Sequence, residues 1–418
     1  MGLNWTERLG IPSKIAWGYL GVLIFMMGDG LEIGWLSAWL HEQGMSVQQT
    51  SLLYTAYGVT VAIASWFSGV LVEILGTKKA MLAGLLVYLI GTSAFISFGI
   101  SSLDLVWMIP TYAIRGFGYP LFAYSFLVWI AYRAEKHQLG TAVGWFWFVF
   151  TGGLNVLGAY YSVVAIKVFG NVGTLWTSVF WVLLGALFAL VINRDKLERH
   201  SNQSSTDKLK ELGKGITIMK EEPKVLLGGI VRTINTTAQF AFPVFLPIYL
   251  SDYGIPTSTW LSIWGAIFTS NIIFNLIFGV VGDKFGWRNT VMWFGGVGCG
   301  ITTLGLYYFP AWFAGNVWLV GTIGIIWGAL LAAYVPLSAL VPSLVKSQKG
   351  AAMSVLNLGA GLPTFIGPAI VSLLIGPIGN GGVMWVLAIL YFVSALLTKF
   401  ITLPEDFKED DPEIAEAN

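Results

Sequence analysis

Twelve stretches of this chain are each apolar for roughly 20 residues or more, the length a helix needs to cross the ~30 Å hydrocarbon core of a bilayer. They fall at about Lys14–Leu40, Val47–Val72, Ala80–Ile100, Leu105–Ile130, Leu139–Val164 and Gly173–Ile192, then Val225–Leu250, Ser258–Val281, Thr290–Phe309, Asn316–Val341, Ala351–Ile375 and Gly382–Leu403. With 56% of residues hydrophobic and 11% charged, the chain lacks the charged surface of a water-soluble globule. In hydrocarbon every backbone polar group needs an internal partner, so such runs fold as helices. The expectation is an all-α integral membrane protein of twelve transmembrane helices in two six-helix bundles.

The polar stretch Asn193–Lys224, with SNQSSTD and KLKELGKG, has the composition of a hydrated linker. It divides the chain into an N-terminal bundle (1–192), the linker (193–224), a C-terminal bundle (225–403) and an acidic tail (404–418). An amphipathic helix around Asp207–Lys220 is an open alternative within the linker. Lys and Arg concentrate in alternate loops, at Lys78 and Lys79, Arg133 and Lys136, the linker, Lys284 and Arg288, and Lys346 and Lys349. Short cytoplasmic loops retain such residues, so both termini are expected on the cytoplasmic side of the plasma (inner) membrane. Met1–Pro12 carries Glu7 and Arg8 and lacks the pattern of a cleaved signal, so the first run is expected to stay as a helix.

Two segments repeat a pattern, GVLVEILGTKK at Gly69–Lys79 and GVVGDKFGWRN at Gly279–Asn289, each after the second helix of its half. They resemble the signature of the loop between helices two and three in the major facilitator superfamily, roughly G-x-x-x-D-R/K-x-G-R/x-R/K. The second copy matches through Gly279, Asp283, Lys284, Gly286 and Arg288; the first keeps Gly69, Gly76 and Lys78, with Glu73 as the acid and Ile74 in place of the base. The glycines would let helices approach closely, and acid and base would latch a gate across the loop; a topological anchor is the plainer alternative. Within the superfamily, GDGLEIGWLSAWL at Gly28–Leu40 and IRGFGYPLF at Ile114–Phe122 look like the polyol permease family. That resemblance implies proton-coupled import of pentitols such as ribitol and D-arabinitol, with the substrate site near mid-membrane between the halves.

A charge at bilayer depth costs about 2.5–3.5 kcal/mol on insertion scales, so it faces an internal cavity and finds a partner. Asp29 and Glu32 lie three apart in the first helix and share a face; Arg115 lies in the fourth helix and Arg232 in the seventh. One of the two acids, held near Arg115, is expected to carry the proton, with a permanent structural salt bridge as the alternative. Asp29 is preferred because Gly28 and Gly30 flank it.

Candidate substrate contacts follow from polar groups at helical spacing. Arg232, Asn235, Thr236 and Gln239 form one stripe on the seventh helix. Trp264, Asn271 and Asn275 share a face of the eighth, Asn155 lies in the fifth and Asn357 in the eleventh, while Tyr112 and Tyr119 bracket Arg115. Uncharged amides both donate and accept, which suits a polyol. Helix-to-helix packing by the same amides is the alternative. If Asp29 and Glu32 do not neutralise the arginines, a sugar acid or other carboxylate fits better.

The net charge of +1 gives no basis for a nucleic-acid partner, and the single cysteine, Cys299, allows no intramolecular disulfide and no cysteine-rich metal site. Without a phosphate-cradling G-x-x-x-x-G-K-S/T loop or a nucleophile and base set, the chain is expected to be neither an ATPase nor any other enzyme and to bind no cofactor or metal. The expectation is a monomeric symporter driven by an ion gradient. A polyol uniporter and a solute sensor are the rivals; the linker and tail are too short for an output domain.

Overall fold

The computed structural model describes residues 5–134, 139–195, 217–345 and 349–403, and the described residues form helices joined by short turns. Most of the linker and the acidic tail lie outside them, as does most of Asp207–Lys220. The chain forms two compact units, Met1–Trp39 with Leu52–Ser205 and Leu40–Ser51 with Thr206–Asn418.

Along the chain α1 comprises Ala16–Gly30 and, after a break, Leu36–Glu42; α2 is Val47–Leu75 and α3 is Thr77–Ile100. The fourth span, α4, runs over Leu105–Arg133, interrupted at Phe117. Leu139–Ile192 forms α5 and α6, which meet at Gly170 (φ 69°, ψ 176°). In the second unit α7 is Pro223–Ser251, α8 Thr257–Phe285, α9 Trp287–Trp312 and α10 Val317–Leu344. The last two, α11 and α12, span Lys349–Lys399 and meet at Gly379 (φ 66°, ψ −176°). The loops expected between Val164 and Gly173 and between Ile375 and Gly382 are thus single-residue corners. That backbone region is essentially confined to glycine, so the same device closes the last helix pair of each half.

The halves also repeat at Gly76 (φ 83°) and Gly286 (φ 96°), which turn the chain from the second into the third helix of each half. The continuous first helix expected from the sequence is corrected: Leu31–Trp35 is a run of turns, with Gly34 at φ 92°. α4 breaks where Pro120, lacking an N–H, leaves the carbonyl four residues earlier without its helical donor.

Exposure is inverted relative to a water-soluble protein. Leu276 is 79% exposed and Trp318 86%, while Asp29, Glu32 and Arg115 are 4%, 3% and 1% exposed. An apolar exterior around a charged interior is the distribution that lipid as solvent selects. The core of the first unit stacks Phe25 on Phe122 (4.0 Å between ring centroids) and sets Tyr19 edge-on to Phe126. Gly84 lets α3 meet α4 closely, since a Cβ there would lie 2.7 Å from the Gly118 carbonyl oxygen.

At the end of the first unit that carries Lys78, polar groups join three chain segments. The Lys78 ammonium donates to the carbonyls of Leu190 (3.1 Å) and Asn193 (2.6 Å), capping the end of α6. Arg133 at the end of α4 grips Asp195 with two bonds, Nε to Oδ2 at 2.6 Å and Nη2 to Oδ1 at 3.1 Å, and the Trp129 indole donates to the same carboxylate at 2.9 Å. Partial burial pushes the Asp195 carboxyl up, but the bonds from Arg133 and Trp129 outweigh it and hold the group below the usual carboxylate range. A lowered folded value means stabilisation in place above the unfolded pKa of about 3.9 and lost as pH falls through the folded value. Asp195→Asn is therefore expected to lower the unfolding midpoint in detergent by roughly 2–4 °C at neutral pH. The gap from the native protein should close on acidification below about pH 4; a gap independent of pH would mean that the charge on Asp195 contributes nothing.

Candidate functional site

The break in α1 frees backbone carbonyls in the membrane interior, and side chains from three neighbouring helices and from the break itself occupy them. Arg115 Nη2 donates to the Asp29 carbonyl (3.2 Å), the Tyr88 hydroxyl to that of Gly28 (3.4 Å), and Trp35 Nε1 to that of Leu31 (2.6 Å). Ser162 of α5 also donates to the Leu31 carbonyl. The broken helix is held open by bonds and does not merely fray.

Into this break α4 sends Arg115. Gly91 of α3 leaves room for its backbone, and a Cβ there would collide with the Arg115 amide nitrogen. Arg115 Nη1 pairs with Glu32 Oε2; Nη2 lies 3.4 Å from Asp29 Oδ1 and donates to the Tyr88 hydroxyl at 2.7 Å. The guanidinium also sits over the rings of Tyr88 (4.9 Å) and Tyr112 (5.5 Å). Its planar fork meets both carboxylates at once, which a point charge could not do. Tyr112 donates to Glu32 Oε1, and Tyr57 of α2 donates to Asp29 Oδ1 (3.1 Å).

The three residues expected to couple protons are therefore one cluster, with two acids on one base. Each acid is held differently. Glu32 has the Arg115 fork and the Tyr112 hydroxyl, while Asp29 has Tyr57 and only a long contact to Arg115. By helix rise, Asp29 lies about 20 Å from the start of α1 and Arg115 about 15 Å from the start of α4, well inside the membrane. Of the other candidates in this unit, Tyr119 turns to Phe150 of α5 (5.9 Å between ring centroids), and Asn155 is buried in a π-helical stretch, Gly152–Leu157.

In the second unit, Asn235 is buried, its backbone carbonyl takes the Tyr391 hydroxyl (3.0 Å), and its side-chain oxygen has no hydrogen-bond partner among the described residues. Arg232 and Gln239 are half-buried on the same helix, the Arg232 stem passing Gly359 of α11. Asn271 Nδ2 donates to the Gly328 carbonyl (3.0 Å), tying α8 to α10, and Trp264 is fully buried against Phe268. Asn275 is half-buried and Asn357 exposed.

Of the gating candidates, Lys78 caps α6 as described above, Asp283 accepts from the Trp287 indole at 2.9 Å, and Arg288 is half-buried. At Gly69 and Glu73 only the helical backbone is described. Close approach at Gly279 is corrected, since a Cβ there would meet nothing within 4 Å. Gly282, one turn on, is the glycine that packs, since a Cβ there would lie 2.5 Å from the Pro336 ring.

Sequence reasoning passed over Tyr57 and Tyr88. The signal available was indirect, in that a buried arginine needs more donors and acceptors than two carboxylates supply.

A twelve-helix membrane fold with a charged cluster on a broken helix defines the class of secondary transporters built from paired bundles. The family profile of the Major Facilitator Superfamily matches residues 18–337 and 230–417, and the chain belongs to that superfamily. The alpha-ketoglutarate permease of Bacillus subtilis (strain 168) is 55% identical over 402 residues, covering 96% of this chain and 92% of that one. The D-arabinitol and ribitol transporters of Klebsiella pneumoniae are each 36% identical over 408 residues, covering 97% and 96%. A crystal structure of a D-xylose-proton symporter shares the fold, with a TM-score of 0.73 at 16% identity over 93% of this chain and 97% of that one. The chain is a multi-pass membrane transporter of a small molecule, not an enzyme, and the family resemblance in its sequence is borne out.

Proposed function

We propose that this transporter is a monomeric symporter that imports a linear polyol, ribitol or D-arabinitol, together with a proton. Both termini would be cytoplasmic in the plasma membrane, and transport would proceed by alternating access. The observation that carries the reading is the Asp29–Glu32–Arg115 cluster, in which two carboxylates share one guanidinium. With all three ionised the cluster holds one surplus negative charge, and one proton removes it. Glu32 is the permanent partner of Arg115, and Asp29, held more loosely, is the proton carrier. Substrate and proton then shift the same two-state equilibrium through differential affinity.

An uncharged cargo suits an arginine already engaged by two acids. The contacts for it in the second unit are Arg232, Asn235, Gln239, Trp264, Asn275 and Asn357, and in the first Asn155; Asn271 is spent on the Gly328 carbonyl, and Tyr112 and Tyr119 are buried around the cluster. The loop segments around Gly69, Glu73 and Lys78 and around Gly279, Asp283 and Arg288 serve as gates. A second reading, a 2-oxo dicarboxylate as cargo, is favoured by the 55% identity to the alpha-ketoglutarate permease, with Arg232 as the group to meet the anion.

Uptake of radiolabelled ribitol and D-arabinitol into proteoliposomes, with and without an inward proton gradient, tests both. The native protein should accumulate polyol above equilibrium, and Asp29→Asn should lose accumulation while still exchanging polyol. Gradient-independent equilibration in the native protein and in both Asp29→Asn and Glu32→Gln would mean a facilitator with structural acids. Competition by 2-oxoglutarate but not by polyols would decide for the dicarboxylate.

A further inference from the structure

The cluster that would take the proton is closed off from any solute. Asp29, Glu32 and Arg115 are at most 4% exposed, and Tyr88, Tyr112 and Tyr119 at most 5%. Tyr57 differs: it touches the Asp29 carboxylate and is itself only half-buried. Its position is fixed from two sides. The ring stacks on Tyr112 (4.6 Å between centroids, 29° between planes), and its backbone carbonyl accepts from Thr60 (2.8 Å), whose hydroxyl also reaches the Ala113 carbonyl of α4 (2.7 Å). What remains free to turn is the O–H bond.

We propose that Tyr57 links proton to solute: its hydroxyl serves Asp29 while that residue is ionised and turns to a hydroxyl of the polyol once Asp29 is protonated. The inference rests on the proton-coupled reading above and adds to it the residue that transmits the proton's presence. A carboxylate is acceptor-only and takes the phenolic hydrogen in a charge-assisted bond, which competes well against a neutral solute. One proton entering the carboxylate supplies an O–H of its own there and weakens that hold, and the phenol then donates outward. No covalent bond forms or breaks apart from the O–H at Asp29. The charged and titratable groups facing this pair are Glu32 on α1, Tyr88 on α3, and Tyr112, Arg115 and Tyr119 on α4. On α2 itself Tyr54 lies one turn away, its ring edge-on to Tyr112 (5.8 Å) and its hydroxyl buried without a hydrogen-bond partner among the described residues.

The test is the KM for ribitol or D-arabinitol in proteoliposomes at about pH 5.5 and about pH 8, for the native protein, Tyr57→Phe and Tyr54→Phe. The native KM should rise with pH as Asp29 ionises and recaptures Tyr57. Tyr57→Phe should raise the acidic KM about three- to tenfold, the loss of one neutral hydrogen bond, and flatten its dependence on pH. Tyr54→Phe should keep the native slope, because its hydroxyl serves no partner among the described residues. A Tyr57→Phe protein with the native slope would overturn the inference and leave symport standing. So would a Tyr54→Phe protein that loses the slope equally, because the whole face of α2 would then be at work. A native protein with neither slope nor gradient-driven accumulation would remove the proton-coupled reading itself.

Discussion

Arg115→Met is expected to abolish transport and to destabilise the first unit by about 3–5 kcal/mol, the cost of leaving a buried charge without its partner. Here two carboxylates are stranded at once, Glu32 and Asp29, together with the Tyr88 hydroxyl that Arg115 meets at 2.7 Å. Lysine should not rescue it. A single ammonium cannot reproduce a fork that gives Nη1 to Glu32 and Nη2 to Asp29 and Tyr88 while lying over two aromatic rings. Replacing the pair by apolar residues, Arg115→Met with Glu32→Leu, should regain much of the stability and none of the accumulation, because a buried ion pair is weak evidence for stability and stronger evidence for a specific role. Thermal unfolding in detergent and uptake in proteoliposomes separate the two effects. An Arg115→Lys protein with native midpoint and uptake would show the bidentate geometry to be dispensable.

That cluster was legible in the sequence because ionised side chains are rare in apolar runs, so Asp29, Glu32 and Arg115 stand out wherever the helices place them. Its setting was less legible. A three-residue spacing reads as one face of a continuous helix, yet the structure ends the helix at Gly30 and presents Glu32 from a turn. Both conformations bring the carboxylates together, so the pattern could not separate them. Tyr57 and Tyr88 were hidden for another reason: among 16 tyrosines in an aromatic-rich chain, residue type carries little information until a buried partner is known. Likewise the repeated loop motif marked a close approach at Gly279, whereas Gly282, which the pattern did not single out, makes it. Three residues on a helix turn a side chain most of the way round, but which side faces Pro336 depends on α10, distant in sequence. Asn271 shows the same limit, since an amide that could serve a solute is spent on the Gly328 carbonyl.

Gly30→Ala is expected to cost about 1–3 kcal/mol and to disturb coupling, with Gly30→Leu preventing assembly of the first unit. A Cβ on residue 30 would strike the carbonyl group of Leu154, and Gly158 faces it across the same crossing, a Cβ there lying 2.8 Å from the Gly30 carbonyl carbon. Backbone cannot turn aside as a flexible side chain does, so α5 would have to retreat from α1. Retreat would pull Ser162 from the Leu31 carbonyl, one of the bonds that hold the helix break open, and would shift the turn that presents Glu32 to Arg115. Gly279→Ala provides the contrast: it lies in the motif that most resembles the family signature, but open space surrounds it, so the change should fall within about 0.5 kcal/mol of native. Size-exclusion profiles and unfolding midpoints in detergent compare the two directly. If Gly30→Ala folds and accumulates solute as the native protein does, close passage of α5 is not what positions the proton site; if Gly279→Ala fails, the motif glycine acts in a conformation other than this one.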